Sequence, residues 1–188
     1  MTTLSWVSCD GGPHVFAASE LAGLWGGTQP PQGGRVVNAK FRWSSEPDAP
    51  ATDYDAACDV NDLVGLVPVG NGVGLVLGDE VPMSTWASSH HFAGGVIVVP
   101  MEWPEPNVPD DRLLDAVHSI TWSSFLNTGI ILPAPSGKSM LFAAADNGPS
   151  WFYPSVEVSM SPGRYRVLTA EAKVQGFWLR VHALDNAA

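Results

Sequence analysis

Glycine and proline interrupt this chain so often that long helices have little room. Nineteen Gly and 16 Pro divide the 188 residues into mostly strand-sized intervals. Such punctuation with short apolar runs between turns predicts strands. The candidates are 5–8, 14–17, 35–43, 64–69, 74–77, 94–100, 129–132, 139–143, 156–159, 163–170 and 176–183. In 164–169 and 177–182 apolar and polar residues alternate, the pattern of an antiparallel strand with one wet face. Val96–Val99 and Ile130–Leu132 are uninterrupted apolar runs, expected of central strands. Helix is predicted at 110–119, where Pro109 and two aspartates match the free amides and positive dipole of a helix start. Shorter turns of helix are predicted at 54–58 and at 19–24, the latter with Ser19 as cap. The expected fold is mainly β: antiparallel sheets, as a sandwich or two small curved sheets, with one or two short helices.

A weak internal repeat bears on domain organisation. Gly65-Leu66-Val67-Pro68, followed by Gly74-Leu75-Val76-Leu77 and Asp79, is similar to Gly129-Ile130-Ile131-Leu132-Pro133, followed by Met140-Leu141-Phe142 and Asp146. The chain therefore reads as one domain over 1–188, or as two similar β subdomains over about 1–103 and 110–188 joined near the proline- and acid-rich 103–109. Asn71-Gly72 between apolar runs predicts a hairpin turn, because both residues tolerate positive φ.

The chemistry-bearing motifs are few. The five histidines show no metal-ligand spacing, and Cys9 and Cys58 stand apart in neither redox nor zinc spacing, so two thiols in a reducing compartment are expected. No GxSxG occurs. Gly137-Lys138-Ser139 superficially suggests a phosphate loop, but the first glycine of that motif is replaced by Leu132 and a hairpin turn is expected instead. Asp79-Glu80 is the best carboxylate pair for acid–base work, yet no nucleophile or base neighbours it in sequence. No apolar run approaches the roughly 20 residues a bilayer requires. The first residues lack the basic and apolar regions of a secretory signal, so a cytoplasmic protein is expected.

Charge is the more informative property. The net charge is −10, and between Arg42 and Arg112 there is no Lys or Arg but 12 acids. A field of one sign speeds encounter with a partner of opposite sign and repels nucleic acid. Asp53, Asp55, Asp59, Asp62, Asp79 and Glu80 are the candidate partner-binding acids. Trp86 and Trp103, inside the same block, are candidate aromatic anchors, since binding energy concentrates in buried aromatics.

Several stretches carry a resemblance. Trp6-Val7-Ser8-Cys9-Asp10-Gly11-Gly12-Pro13 with Trp25-Gly26-Gly27, then Asp53-Tyr54-Asp55-Ala56-Ala57-Cys58, resemble the bacterial immunity protein 21 family. Gly74-Leu75-Val76-Leu77-Gly78-Asp79-Glu80, Thr85-Trp86, Gly94-Gly95 and Pro162-Gly163-Arg164-Tyr165-Arg166-Val167 continue the likeness over nearly the whole chain. The resemblance implies a mainly-β antidote of a polymorphic toxin system. It implies a cognate protein toxin as partner and no catalytic residues; from the residues themselves no cofactor, metal, nucleic acid or membrane is expected. Joined to the acidic block, it points to a basic, nuclease-type toxin. Two alternatives stand beside it: a small-ligand-binding β module with tryptophans lining a cleft, and an enzyme with an unrecognised catalytic group.

Overall fold

A computed structural model describes residues 3–78, 81–102, 104, 108–148 and 152–187. The strands are β1 (Trp6–Ser8), β2 (His14–Ala18), β3 (Val64–Val69), β4 (Gly72–Leu77), β5 (Met83–Ala87), β6 (Val96–Glu102), β7 (Leu126–Ala134), β8 (Lys138–Ala143), β9 (Val156–Ser159), β10 (Gly163–Val174) and β11 (Phe177–Asn186). The helices are α1 (Ser19–Ala22), α2 (Asp53–Cys58) and α3 (Asp110–His118). Two antiparallel sheets result, ordered β1-β5-β6-β11-β10-β7 and β3-β4-β2-β8-β9. The fold is mainly β, as the punctuation predicts. Both sheets draw strands from either side of 103–109, so neither stretch alone completes a sheet.

Alternation along the strands sorts apolar side chains into three layers. Phe16, Leu75, Leu77 and Leu141 of the five-stranded sheet meet Ile97, Val99, Leu132, Tyr165 and Leu184 of the six-stranded sheet in the central layer. Their neighbours in sequence point outward. Val96, Val98, Leu179 and Val181 are covered by Leu113, Ala116 and Val117 of α3. Val15, Val69, Val76 and Phe142 are covered by Trp25 and by Tyr54 and Ala57 of α2. Each fully buried Leu or Phe contributes roughly 1.5–3 kcal/mol. Covering both outer faces is what makes the chain more apolar than a two-layer sandwich needs.

The cover over the six-stranded sheet corrects one expectation. Alternation in 177–182 implies a wet face, but Arg180 and His182 are buried between the sheets. Arg180 donates from Nε to Glu171 at 2.9 Å and from Nη1 to the Gly78 carbonyl at 3.4 Å. His182 Nδ1 lies 2.9 Å from the Thr169 hydroxyl, and burial pushes its pKa down to about 3.

Turn chemistry also differs in detail. The β3–β4 hairpin turns on Gly70 and Asn71, with Val69 opposite Gly72 and the positive φ (57°) at Gly70. A glycine at the first central position matches the twist of the flanking strands. Pro135–Gly137 is a turn but no hairpin, for it carries the chain from β7 in one sheet to β8 in the other. The second arm of the sequence repeat thus spans two sheets, whereas the first is a hairpin within one. Ser19 is the first residue of α1 and Ala18 its cap, without a side-chain bond.

Candidate partner-binding face

The segment 26–50 holds no strand and only turns and bends, although 35–43 reads as a strand in sequence. Four of its amides find their acceptors on carboxylates of α2 and of Asp59, the residue that ends it. Gly26 N–H donates to Asp53 Oδ2 at 2.8 Å, Trp43 N–H to Asp55 Oδ1 at 2.7 Å, and Phe41 N–H to Asp59 Oδ1 at 2.8 Å. Lys40 N–H donates to the other Asp59 oxygen, and Arg35 forms an ion pair with Asp53. The amide of Lys40 in particular holds the Asp59 carboxyl below its usual pKa, against a smaller opposing push from desolvation. Gly27 is required at the start of this segment: φ is +54°, and a Cβ would lie 2.3 Å from the Asp146 carbonyl oxygen.

Helix α2 forms because Thr52 and Asp55 make a reciprocal capping box and its acids sit at the positive end of the dipole. Thr52 N–H donates to Asp55 Oδ2 at 2.8 Å, and Asp55 N–H donates to the Thr52 hydroxyl at 3.2 Å. The four sequence-selected acids here have different surroundings. Asp53 and Asp55 are buried, with carboxylates engaged by the chain's own amides and Arg35. Asp59 is half-buried at the end of α2, and Asp62 is exposed. Trp86, on β5, is half-buried against the central layer and donates from Nε1 to the Gly94 carbonyl at 3.3 Å. Asp79, Glu80 and Trp103 lie outside the described residues.

The acidic block is also less continuous in space than in sequence. Asp110 and Asp111 begin α3 on the opposite face of the sandwich, where Asp110 accepts from Leu4 N–H at 2.8 Å. Arg35, Lys40 and Arg42, which precede the base-free block, fold back beside α2.

Beside α2 lies a groove of about 510 Å³ that the sequence does not disclose. Its lining combines 10–13 of the β1–β2 connection with Tyr54, Cys58 and Asn61 of α2 and the turn after it, and with Trp43. Trp43 is 66% exposed, and its ring meets Tyr54 edge-on at 5.6 Å and 85°. Gly12 is essential to this shape: its φ is +105°, and a Cβ would stand 2.8 Å from the Tyr54 hydroxyl. Burial, followed by the Cys58 thiol, pushes Tyr54 up to about 12.

Behind the groove, Cys9 Sγ lies 3.3 Å from His14 Nε2, and His14 Nδ1 lies 2.7 Å from the Ser84 hydroxyl of β5. This chain links the two sheets. Burial raises the Cys9 thiol pKa and lowers His14 to about 4. Both shifts favour neutral partners, the reverse of a thiolate–imidazolium pair.

Fold and groove together define a covered β-sandwich with a polar–aromatic recess on one outer face. The chain belongs to the immunity protein 21 family, whose model matches residues 5–176. No curated protein and no solved structure matches it. The family places the chain among the immunity proteins of toxin systems and implies a cognate toxin. Among the described residues no helix is long and apolar enough to cross a membrane.

Proposed function

We propose that this protein binds a cognate toxin and neutralises it by covering a basic, nuclease-type surface with the α2 face and its surroundings. The single observation that carries this reading is the groove. An exposed tryptophan and a tyrosine stand above an acidic helix in a chain of net charge −10. Aromatic anchors supply affinity, and acids around them supply encounter rate and choice of partner. Exposed Asp10 and Asp62 meet the toxin, Asp79 and Glu80 stay partner-binding candidates on their sequence position, and Asp59 joins the face while holding the Lys40 and Phe41 amides. Asp53 and Asp55 act one step back by holding segment 26–50 in place, and Trp86 and Trp103 remain candidate secondary anchors.

The test is binding of the purified toxin domain encoded beside this chain, measured over a series of salt concentrations. Association that slows steeply between low and physiological salt supports an electrostatic face. Salt-independent association sinks that face while leaving neutralisation itself intact.

A small-ligand reading is favoured by one observation, the groove's volume, which falls in the roughly 300–1,000 Å³ range of ligand sites. A metabolite that protects the Tyr54 and Cys58 region from hydrogen exchange, with no toxin bound, would move that reading to first place.

A further inference from the structure

We infer that the groove receives one basic side chain, lysine or arginine, from the toxin, held over the Trp43 ring. The inference rests on the toxin-binding reading above and names the chemistry at its centre. Among the described residues lining the groove there is one carboxylate, that of Asp10, and no Lys, Arg or His. Asp10 is exposed and accepts from the Tyr153 hydroxyl at 3.0 Å on Oδ2, and an exposed carboxylate has further lone pairs to offer a cation. Trp43 is fixed from below by Tyr54 and by the bond from its amide to Asp55, which leaves the indole face turned to solvent. A fixed indole face is the best aromatic partner for a cation, and an aliphatic stem suits the apolar side of Val60 in the same lining. An acidic side chain would meet Asp10 and the negative face of the ring. A wholly apolar one would desolvate Asp10 and the Asn61 amide without replacing their partners.

The experiment uses the full chain and the toxin domain encoded beside it, with binding read by interferometry and neutralisation by growth. Trp43→Phe, Trp43→Leu and Trp43→Ala are compared with Trp122→Ala, which alters an exposed tryptophan on the α3 side. The Trp43 side chain is exposed, and thermal unfolding of each variant confirms the fold. Expected is a graded loss, with Phe weakened least and Leu and Ala weakened about tenfold or more, while Trp122→Ala is unchanged. On the toxin side, acetylation of lysines removes charge and reductive methylation keeps it, and phenylglyoxal neutralises arginines. Loss of Trp43-dependent binding after one of the two neutralising treatments identifies the side chain. Equal binding by Trp43→Leu and the unaltered protein overturns the groove inference but leaves the antidote reading standing. Absence of both binding and rescue by the unaltered protein overturns the two together.

Discussion

The Asp55 carboxylate accepts the backbone amide of Trp43 at 2.7 Å while its second oxygen accepts that of Thr52 at 2.8 Å. One buried side chain therefore starts α2 and sets the position of the exposed indole. Replacing Asp55 by alanine leaves the Trp43 and Thr52 amides without their acceptor and removes the reciprocal half of the capping box, while the Thr52 hydroxyl keeps its bond from the residue 55 amide. A stability loss of about 1–3 kcal/mol is expected in urea unfolding, together with weaker toxin binding. Asp55→Ala with native stability and native affinity would mean that segment 26–50 is held by other contacts.

Acid sensitivity follows from the two histidines between the sheets. Burial lowers His14 to about 4 and, with the charge of Arg180, lowers His182 to about 3, from an ordinary value of 6.5. Below pH 6.5 the unfolded chain binds protons that the folded chain refuses. Stability is therefore full above pH 6.5 and lost as pH falls toward the folded values, at about 1.4 kcal/mol per unit for each group. Urea midpoints at pH 7, 5.5 and 4.5 should decline accordingly, and His14→Gln should flatten the decline. An equal slope in that variant would place the sensitivity elsewhere.

Leu113 is fully buried where α3 covers the six-stranded sheet. Leu113→Ala should cost about 2–5 kcal/mol. Because both sheets take strands from either side of 103–109, we propose that the chain is one cooperative domain. The loss should then appear in a single transition, seen alike by far-ultraviolet circular dichroism and by tryptophan fluorescence. Two separated transitions, of which Leu113→Ala moves only one, would favour two subdomains.

Charge reversal tests three acids of the base-free block. Asp62→Lys combined with Asp79→Lys and Glu80→Lys should slow toxin association several-fold at low salt and change dissociation little, since rim charges act chiefly on encounter. Stopped-flow association at two salt concentrations separates the two effects. An unchanged association rate would remove these acids from the interface.

Much of the fold was legible because it depends on local pattern. The limits of β3 and β9 match those expected, since each is a short run bounded by turn residues. Strand β5 was missed: Met83-Ser84-Thr85-Trp86-Ala87 lacks an apolar stripe, and its Ser84 and Thr85 are buried through bonds to His14 and the Ser5 carbonyl. The expected strand at 35–43 failed for the opposite reason. Val36, Val37, Phe41 and Trp43 have strand propensity, but the Phe41 and Trp43 amides are taken by α2 carboxylates rather than by a neighbouring strand. The site was half legible. A charge count along the chain locates α2, but it cannot show that Arg35 folds back onto Asp53 or that Asp10 and Trp43 line one groove. Those relationships are set by tertiary packing, and the Pro30, Pro31, Gly33 and Gly34 cluster was the available signal that a long loop begins there.

Growth rescue tests the central claim most directly. The toxin domain encoded beside this chain is expressed with this protein, with its Trp43→Ala variant, or with an unrelated acidic β protein, and surviving cells are counted. The account predicts survival with this protein, reduced survival with the variant and none with the unrelated one. Death in all three, with the protein soluble and abundant, would contradict neutralisation of that toxin.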